Sequence, residues 1–445
     1  MIKLVFPQQD LSDLVQSFRA DELESFAFIL ARPAPIAPKG WRLLVHSIHL
    51  PEPEDYEMRS KTFVRPGAAF RLRVEKQARR EGLALVYCHS HPGDPGIPSF
   101  SALDDETEKP LAAYSRDHVG KVPHVALLIG AEGVRARELG GVAPVEVFEI
   151  GRRVIRHLPT ELSPVAEQFD RQVRAFGEDG QRAIQALRVA IIGLGGTGSV
   201  IAQQLAHLGI CRFLLIDPDT LDKTNRNRVV GILKGDVGRA KVLIAHRMIK
   251  RLVPNAEVTV KQCDVLEKDS GLLLTGVDFI FCCTDSHGSR HFINQLAYQY
   301  FIPCIDMGVV ITTDSGRVTH FVGRTQMLAP GLSCLVCTDG VLSPQEVRWD
   351  LSNERQRAAD PYFSGRVNIK QPAVISLNST VASHAATMFL AAVAGIPTDV
   401  RSQLARGIPG ITRALATAPH EGCITCSKDA YYGKGALHEL PCRAA

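Results

Sequence analysis

A glycine-rich stretch, GLGGTG at residues 193–198, stands between two apolar segments. The apolar run before it (188–192) and the segment with helical periodicity after it (200–208) predict a strand, a tight turn and a helix. In such a turn, glycines let the backbone approach a phosphate closely, and the helix N terminus offers free N–H groups. The glycines are Gly193, Gly195, Gly196 and Gly198. The next apolar run ends in Asp217, whose carboxylate can accept hydrogen bonds from ribose hydroxyls.

The chain beyond residue 187 alternates between strand-like and helix-like segments. The strand-like runs are residues 188–192, 211–216, 256–260, 278–283 and 302–305. Strands that alternate with helices of this length imply parallel βαβ units with right-handed crossovers. We therefore expect an α/β fold, with a doubly wound, Rossmann-like domain in residues 188–445.

The first part of the chain has a different pattern. Its strand-like runs are residues 43–45, 83–87 and 124–130. Clusters of proline and glycine separate them, and residues 71–80 predict a helix. This pattern predicts a separate mixed α/β domain over residues 1–157. Residues 158–187 then predict a helical linker that includes the start of the second domain.

The composition excludes several classes of protein. The 445 residues include 51 Lys or Arg and 47 Asp or Glu, which gives a net charge of +4 with no basic stripe. We therefore expect no nucleic-acid partner. No apolar run reaches the ~18–20 residues that span a bilayer, so we expect no membrane partner. The first residues, MIKLVFPQQDLSDL, become acidic too soon for a signal peptide, and we expect a cytoplasmic protein.

The residues after Asp217 separate two kinds of nucleotide site. A dehydrogenase that binds a dinucleotide would explain the glycines and Asp217. The chain, however, continues with polar and cationic side chains that suit a polyphosphate. They are Asn225, Arg228 and Lys241, and Asp219 is a further candidate for binding the nucleotide. Asp285 follows the run 278–283, where its hard oxygen ligand could hold Mg²⁺. The alternatives are that Asn225, Arg228 and Lys241 are solvated surface residues and that Asp285 is a turn residue.

Four of the eleven cysteines form two CxxC pairs. The pairs are Cys334 with Cys337 and Cys423 with Cys426. In a reducing compartment this spacing favours a metal over a disulfide, and four thiolates form the closed tetrahedral set of a structural zinc site. The alternative is four unrelated free thiols. The other seven cysteines are scattered, and we interpret them as small hydrophobic core residues.

A second metal-binding pattern lies in the first domain. A strand-like run leads into His89, and His91 lies two residues on, so both imidazoles face the same way on an extended chain. Asp104, at the start of a predicted helix, would be the third ligand. Two histidines and one carboxylate leave a coordination position open for water, which is typical of hydrolytic zinc. The alternative is a hydrogen-bonded turn around the two histidines.

The motifs from about Phe169 to Cys426 resemble, in their order, those of the ThiF/MoeB and ubiquitin-activating family of adenylyltransferases. The resemblance implies ATP and Mg²⁺ as cofactors. It implies that Asp217 holds the ribose and that Asp285 positions Mg²⁺ and the reacting carboxylate. It also implies that the phosphates are held by Asn225, Arg228 and Lys241. Two departures, Arg226 and Val229, stand where the family usually has Leu and Gln.

Two further expectations depend on this resemblance. The segment 169–177, FDRQVRAFG, is similar to the family's opening Arg-Gln segment, and Arg171 resembles an arginine finger supplied across a dimer interface, which implies a homodimer. Many members transfer the adenylated carboxylate to a cysteine before a late helix. Here residues 367–380 contain no cysteine, and outside the zinc set we expect only Cys442 to be a mobile thiol. We therefore expect adenylation without a thioester at the usual place.

The pattern around His89 resembles the JAMM/MPN+ metalloprotease motif over roughly residues 1–150. The spacing from His91 to Asp104 is longer than in the commonest form, so Asp105 stays a candidate ligand. The family uses an upstream Glu as general base, a position that Glu24 occupies here, with Glu22 as the second candidate. By the same resemblance, Ser101 helps to stabilise the oxyanion.

Both resemblances imply one kind of partner, a ubiquitin-like or sulfur-carrier protein with a C-terminal glycine tail. One hypothesis is a bifunctional enzyme of bacterial ubiquitin-like conjugation, which would also need a conjugating enzyme. A second is maturation and activation of a sulfur carrier, with a persulfide donor that attacks the acyl-AMP. A third makes one domain a non-catalytic module that binds the carrier, and a dehydrogenase is the remaining alternative. Whether the first domain matures precursors or removes conjugates stays open.

Overall fold

The computed structural model describes residues 1–93, 96–157, 164–338, 341–360, 363 and 372–443. The chain divides into two compact units, Met1–Ser163 with Gly433–His438, and Pro164–Tyr432 with Glu439–Ala445. The division therefore falls after the predicted linker begins, and the first unit gains a short segment from the end of the chain. The reason is packing, because a Cβ on Gly435 would lie 3.0 Å from Ala34 Cβ in the first unit.

The first unit contains ten strands and three helices within its described residues. The strands are β1 (Ile2–Pro7), β2 (Phe26–Pro35), β3 (Trp41–His49), β4 (Tyr56–Arg59), β5 (Val64–Pro66), β6 (Ala84–Ser90), β7 (Val125–Ile129), β8 (Val134–Glu138), β9 (Pro144–Ile150) and β10 (Val154–His157). The helices are α1 (Gln8–Arg19), α2 (Ala68–Glu81) and α3 (Ala102–His118). The predicted runs at 43–45, 83–87, 124–130 and 71–80 fall in β3, β6, β7 and α2.

Eight of these strands form one mixed sheet in the order β1-β3-β2-β6-β7-β8-β9-β10. Because β1 also pairs with β9, the sheet closes on itself. One face buries a core that includes Leu11, Leu14 and Phe18 of α1. The other face packs against α2, which contributes Phe70 and Val74. Strands β4 and β5 form a separate hairpin.

The second unit contains the remaining strands and helices. The strands are β11 (Arg188–Ile192), β12 (Arg212–Ile216), β13 (Glu257–Lys261), β14 (Phe279–Cys282), β15 (Cys304–Asp314), β16 (Arg317–Leu328), β17 (Ser402–Arg406) and β18 (Ile411–Ala414). The helices are α4 (Asp170–Gln185), α5 (Gly196–His207), α6 (Lys241–Leu252), α7 (Lys268–Leu274), α8 (His287–Gln299), α9 (Pro344–Leu351), α10 (Glu354–Ala359) and α11 (Ile375–Val393).

The sheet of the second unit has the order β13-β12-β11-β14-β15-β16-β17-β18. The first five strands are parallel, so the predicted doubly wound, Rossmann-like α/β fold is confirmed. The last three strands continue the sheet in antiparallel fashion, which the sequence did not predict. The strand order reverses between β11 and β14, the place where open α/β sheets bind ligands. Among the described residues, no helix is long and apolar enough to cross a bilayer.

Candidate functional site

The glycine-rich turn joins β11 to α5 at the point where the strand order reverses. Gly193 has a φ of +87°, and a Cβ there would lie 2.9 Å from the carbonyl oxygen of Cys283. The helix begins at Gly196, earlier than residue 200, because one left-handed residue is enough to turn the chain. A Cβ on Gly195 would meet no atom of the described residues within 4 Å. This side of the turn is therefore open to a ligand.

Asp217 lies directly behind the turn, at the end of β12. Its Oδ2 accepts a hydrogen bond of 2.5 Å from the Leu194 amide, and its Oδ1 accepts one of 2.8 Å from the Asp219 amide. The residue is buried, and burial raises the pKa of the carboxyl group, while the charge of Lys241 acts to lower it. Asp217 is thus part of the frame that holds the turn in place.

Two cations lie close to the turn or to the aspartates behind it. Lys241, at the start of α6, is buried, and its Nζ lies 2.7 Å from Asp219 Oδ2. A Cβ on Gly196 would lie 3.4 Å from Arg228 Cδ, and the guanidinium of Arg228 donates to the carbonyl oxygen of Thr224. Asn225 accepts a hydrogen bond from the Asp222 amide. The structure therefore gathers most of the predicted nucleotide-binding residues around one turn.

Asp285 is exposed three residues beyond β14. It lies close in sequence to a buried cluster of charges that the sequence did not reveal. Arg290 donates through Nε and Nη2 to the carbonyl oxygen of Thr284, at 3.2 and 3.0 Å. Its Nε also lies 3.6 Å from Asp306, a fully buried carboxylate that pairs with Arg324. The sequence contained one signal for this cluster, because the carboxylate of Asp306 stands within the apolar run at the start of β15.

A further missed residue lies over the glycine turn. A Cβ on Gly196 would come within 2.0 Å of Nδ2 of Asn378, a buried residue of α11. No pattern in the sequence links α11 to the turn. Arg171 is exposed at the start of α4, and its role as an arginine finger stays a prediction. In the segment predicted to lack the transfer cysteine, residues 367–371 lie outside the described residues.

The cysteines near the site are poor nucleophiles. Burial raises the pKa of the thiols of Cys282, Cys283 and Cys304. Cys283 follows β14 and is not part of that strand. Cys442 is half-buried, and burial raises its pKa as well. A thiol with a raised pKa carries little thiolate at neutral pH.

The two CxxC pairs meet in space. Cys334 Sγ lies 3.6 Å from Cys337 Sγ and 3.6 Å from Cys423 Sγ, and Cys337 Sγ lies 3.5 Å from Cys426 Sγ. Sulfurs at about 2.3 Å from one zinc ion would be about 3.8 Å apart in a tetrahedron, so the four fit this metal. Hydrogen bonds from Cys426 lower the pKa of Cys334 to about 5, which favours a thiolate ligand. Amides of His420 and Thr425 donate to two of the sulfurs.

The predicted ligands of the first unit also meet. His89 Nε2 lies 3.2 Å from Asp104 Oδ1, and His91 Nε2 lies 3.8 Å from Asp104 Oδ2. Ligand atoms at about 2.1 Å from a tetrahedral ion would be about 3.4 Å apart, so these three side chains fit one zinc ion. The cluster forms because β6 ends at Ser90 and α3 begins beside it with Ser101 as its N-cap. The three side chains are largely buried.

The neighbouring polar residues orient Asp104. Its Oδ2 accepts hydrogen bonds of 2.7 Å from both the amide and the hydroxyl of Ser101. Burial acts to raise the pKa of Asp104, but the hydrogen bond and charge of His89 and the bonds from Ser101 hold that pKa well below its usual value. Asp105, the other candidate, points elsewhere and pairs with Arg137 at 2.6 Å. The geometry therefore favours Asp104 as the ligand.

Glu24 lies near His91 at the same cavity. Its Oε1 is 3.9 Å from His91 Nε2, and the residue is 7% exposed. Glu22 is exposed and pairs with Lys61. A cavity of about 810 Å³ adjoins the cluster, and its lining includes apolar residues of the hairpin such as Phe63 and Val64. It also includes all the predicted residues, Glu24, His89, His91, Ser101 and Asp104.

Comparison with known proteins covers the second unit. The profile of the ThiF family matches residues 169–412, so the whole first unit lies outside the matched range. The molybdopterin-synthase adenylyltransferase of Salmonella typhimurium is 31% identical over 159 residues, 35% of this chain and 63% of that protein. The SAMP-activating enzyme E1 of Haloferax volcanii is 26% identical over 181 residues, 40% of this chain and 64% of that protein.

The chain thus spans less than two thirds of the length of these two relatives. Among solved structures, E. coli MccB with MccA-N7isoASN aligns with 59% of this chain and 76% of its own. That alignment has 17% sequence identity and a TM-score of 0.49.

Proposed function

The chain belongs to the ThiF family, and from this premise we propose that its second unit uses ATP to adenylate the C-terminal carboxylate of a small ubiquitin-like or sulfur-carrier protein. The observation that carries the proposal is the open glycine turn with Asp217 behind it and the Lys241–Asp219 pair beside it. The two relatives described above, an adenylyltransferase and an activating enzyme, support the same chemistry.

The chemistry requires positioning and charge more than a protein nucleophile. A terminal carboxylate oxygen attacks the α-phosphorus of ATP, a new O–P bond forms, the bond to the β-phosphate breaks, and pyrophosphate leaves. The free N–H groups of the α5 N terminus, Arg228 and Lys241 would stabilise the phosphates. Lys241 would leave Asp219 as it engages a phosphate, and Asp285 would hold Mg²⁺. Arg171 would contribute from a second copy of the chain in a homodimer.

The test is carrier-dependent exchange of pyrophosphate into ATP. We expect exchange with a carrier that ends in glycine, and a loss of at least about 100-fold for Asp285→Ala, because the variant removes the proposed Mg²⁺ ligand. Asp269→Ala, which replaces an exposed aspartate on α7, is the control and is expected to exchange like the wild type. Lack of exchange with a panel of such carriers would contradict the proposal.

Products distinguish the two carrier classes. Adding a persulfide donor should give a carrier thiocarboxylate if the chain serves a sulfur carrier. An amide or ester conjugate, formed with a conjugating enzyme or without one, would instead indicate ubiquitin-like modification. The raised thiol pKa values near the site favour direct attack on the acyl-AMP over a thioester on this chain.

We also propose that the first unit hydrolyses a peptide or isopeptide bond after the tail of the same carrier. The carrying observation is that His89, His91 and Asp104 converge while Glu24 lies 3.9 Å from His91 at the same cavity. A zinc ion held by the first three would polarise the carbonyl and activate water. Glu24 would accept a proton from the water and pass it to the leaving amine.

Cleavage of a carrier that carries a short C-terminal extension tests this second function. His89→Ala should lose zinc and activity, and Glu24→Gln should keep zinc and lose activity. Cleavage that survives both substitutions would leave the unit as a module that binds the carrier. A chelator-treated sample that regains activity with Zn²⁺ would support the hydrolytic function.

A further inference from the structure

We propose that Arg59 is a positioning residue for the hydrolytic site, and that it fixes the backbone from which Glu24 reaches toward His91. The inference depends on the hydrolytic function proposed above. Arg59 ends β4 of the hairpin, 35 positions along the chain from Glu24, and nothing in the JAMM-like motif of this sequence includes it. Its guanidinium contacts three successive parts of the segment before β2.

The contacts of Arg59 are short and specific. Nε donates to the carbonyl oxygen of Glu24 at 2.8 Å, and Nη2 donates to Ser25 Oγ at 2.7 Å. Nη2 also lies 2.6 Å from Asp21 Oδ2. The guanidinium packs over the ring of Tyr56 at 4.9 Å, which limits its rotation. The guanidinium of Arg59 thus holds Asp21, Glu24 and Ser25 at the same time.

The segment is held from two further directions. The Glu24 amide donates to the carbonyl oxygen of Ser60, in the turn of the hairpin, at 2.8 Å. The Ser25 amide donates to Ser90 Oγ at 2.9 Å, and the Ser90 amide donates to the Ser25 carbonyl at 3.0 Å. Ser90 stands between the two histidines in the sequence. The backbone of Glu24 is therefore tied to the ligand strand on one side and to the hairpin on the other.

Positioning of this kind is needed because Glu24 lies in a segment without regular secondary structure. A general base must lie within hydrogen-bond reach of its proton, and an error of about 1 Å can cost about 100-fold in rate. Lysine cannot replace Arg59, because an ammonium lacks the planar fork that reaches the carbonyl and the hydroxyl together.

The experiment compares Arg59→Met and Arg59→Lys with Lys61→Met, which removes a more exposed cation of the same hairpin. We expect both Arg59 variants to retain zinc and to lower kcat for cleavage by about 100-fold with little change in KM. Amide hydrogen exchange in residues 20–27 should become faster in both, whereas Lys61→Met should match the wild type in exchange and rate. Exchange is measured on the full chain and does not depend on cleavage.

A double-mutant cycle separates positioning from general loss of structure. In a Glu24→Gln background, Arg59→Met should have almost no further effect on the residual rate, because the base it positions is already absent. An equal drop in both backgrounds would overturn the proposal, as would wild-type kcat in Arg59→Met. If Glu24→Gln cleaves at the wild-type rate, Glu24 is not the general base and the proposed hydrolytic function fails. Separately, unchanged amide exchange in Arg59→Met would show that Arg59 does not hold the Glu24 segment in place.

Discussion

Gly198 lies so close to Gly193 that a Cβ on Gly198 would come within 1.8 Å of the Gly193 carbonyl oxygen. Both residues belong to the turn between β11 and α5, and the atom in the way is backbone, which cannot move without opening the turn. The same Cβ would also lie 3.2 Å from Cys283 Cβ. The glycine at this position is therefore required for helix and strand to approach each other.

Gly198→Ala should lower the free energy of unfolding by about 2 kcal/mol. Overpacking costs up to about 3 kcal/mol, and the higher helix propensity of alanine returns about 1 kcal/mol. Gly195→Ala is the matched control, because the φ of Gly195 is −73° and a Cβ there would contact none of the residues that the structure describes within 4 Å. Urea denaturation measures both. Equal stability of the two variants would contradict the packing that we describe.

Lys241→Met should weaken ATP binding by about 10–100-fold, the effect of losing one charged hydrogen bond to a phosphate. Lys241 is buried and its Nζ pairs with Asp219, so the variant removes a cation and leaves Asp219 without that partner. Lys223→Met, which removes an exposed cation from the segment between β12 and α6, serves as the control. Calorimetry with ATP and Mg²⁺ measures the affinity. Similar ATP affinities for the two variants would show that Lys241 does not bind the nucleotide.

The cysteine cluster predicts a structural metal. Cys337→Ser should carry one zinc ion fewer per chain than the wild type, and its Tm should fall by roughly 10 °C, because the closed site links segments far apart in the chain. Cys211→Ser is the control, since Cys211 lies outside the cluster and contacts the carbonyl of Gln185. Elemental analysis and thermal unfolding give the two readouts. Unchanged zinc content in Cys337→Ser would contradict a four-cysteine site.

Much of the second unit follows from local sequence. The glycine turn, the parallel strands and Asp217 have signals within a few residues of each other, since each depends on backbone geometry that neighbours determine. The pairing of Cys334 with Cys423 was inferred from chemistry alone, because no local rule brings segments so far apart together. The antiparallel strands β16–β18 were also missed: β16 pairs with β17 from far along the chain, for which no local rule exists, whereas β17 and β18 form a local hairpin whose signal was overlooked.

The limits of sequence analysis are clearest where neighbouring residues differ in direction. Asp104 and Asp105 occupy the same turn of α3. Both were candidates because a sequence motif gives the spacing of residues and not the direction of their side chains. Successive residues on a helix point about 100° apart, so only one can face the histidines. Likewise, Arg59 and Asn378 act through contacts with segments distant in the chain, for which one sequence contains no pattern.

Acid should remove a stabilising pair in the second unit. Hydrogen bonds from Arg247 lower the pKa of Asp236 to about 2, below its value in the unfolded chain, so the pair contributes fully above about pH 5 and is lost as the pH falls through 2. Asp236→Asn should cost about 1.5–3 kcal/mol at pH 7 and less at pH 3. Urea denaturation at both pH values measures this, with exposed Asp429→Asn as the control. A cost that is the same at both pH values would contradict the ionic origin.

The two neighbouring aspartates of α3 allow a direct test of the metal site in the first unit. Asp104→Asn should reduce zinc affinity there by at least about 100-fold, because an amide is a weaker ligand and the carboxylate facing His89 is lost. Asp105→Asn should keep the zinc affinity and lose only the ion pair with Arg137, which is worth about 1 kcal/mol where one partner is exposed. Chelator competition in a Cys337→Ser background, which silences the other site, measures the affinity. Loss of zinc from Asp105→Asn but not from Asp104→Asn would reverse the assignment.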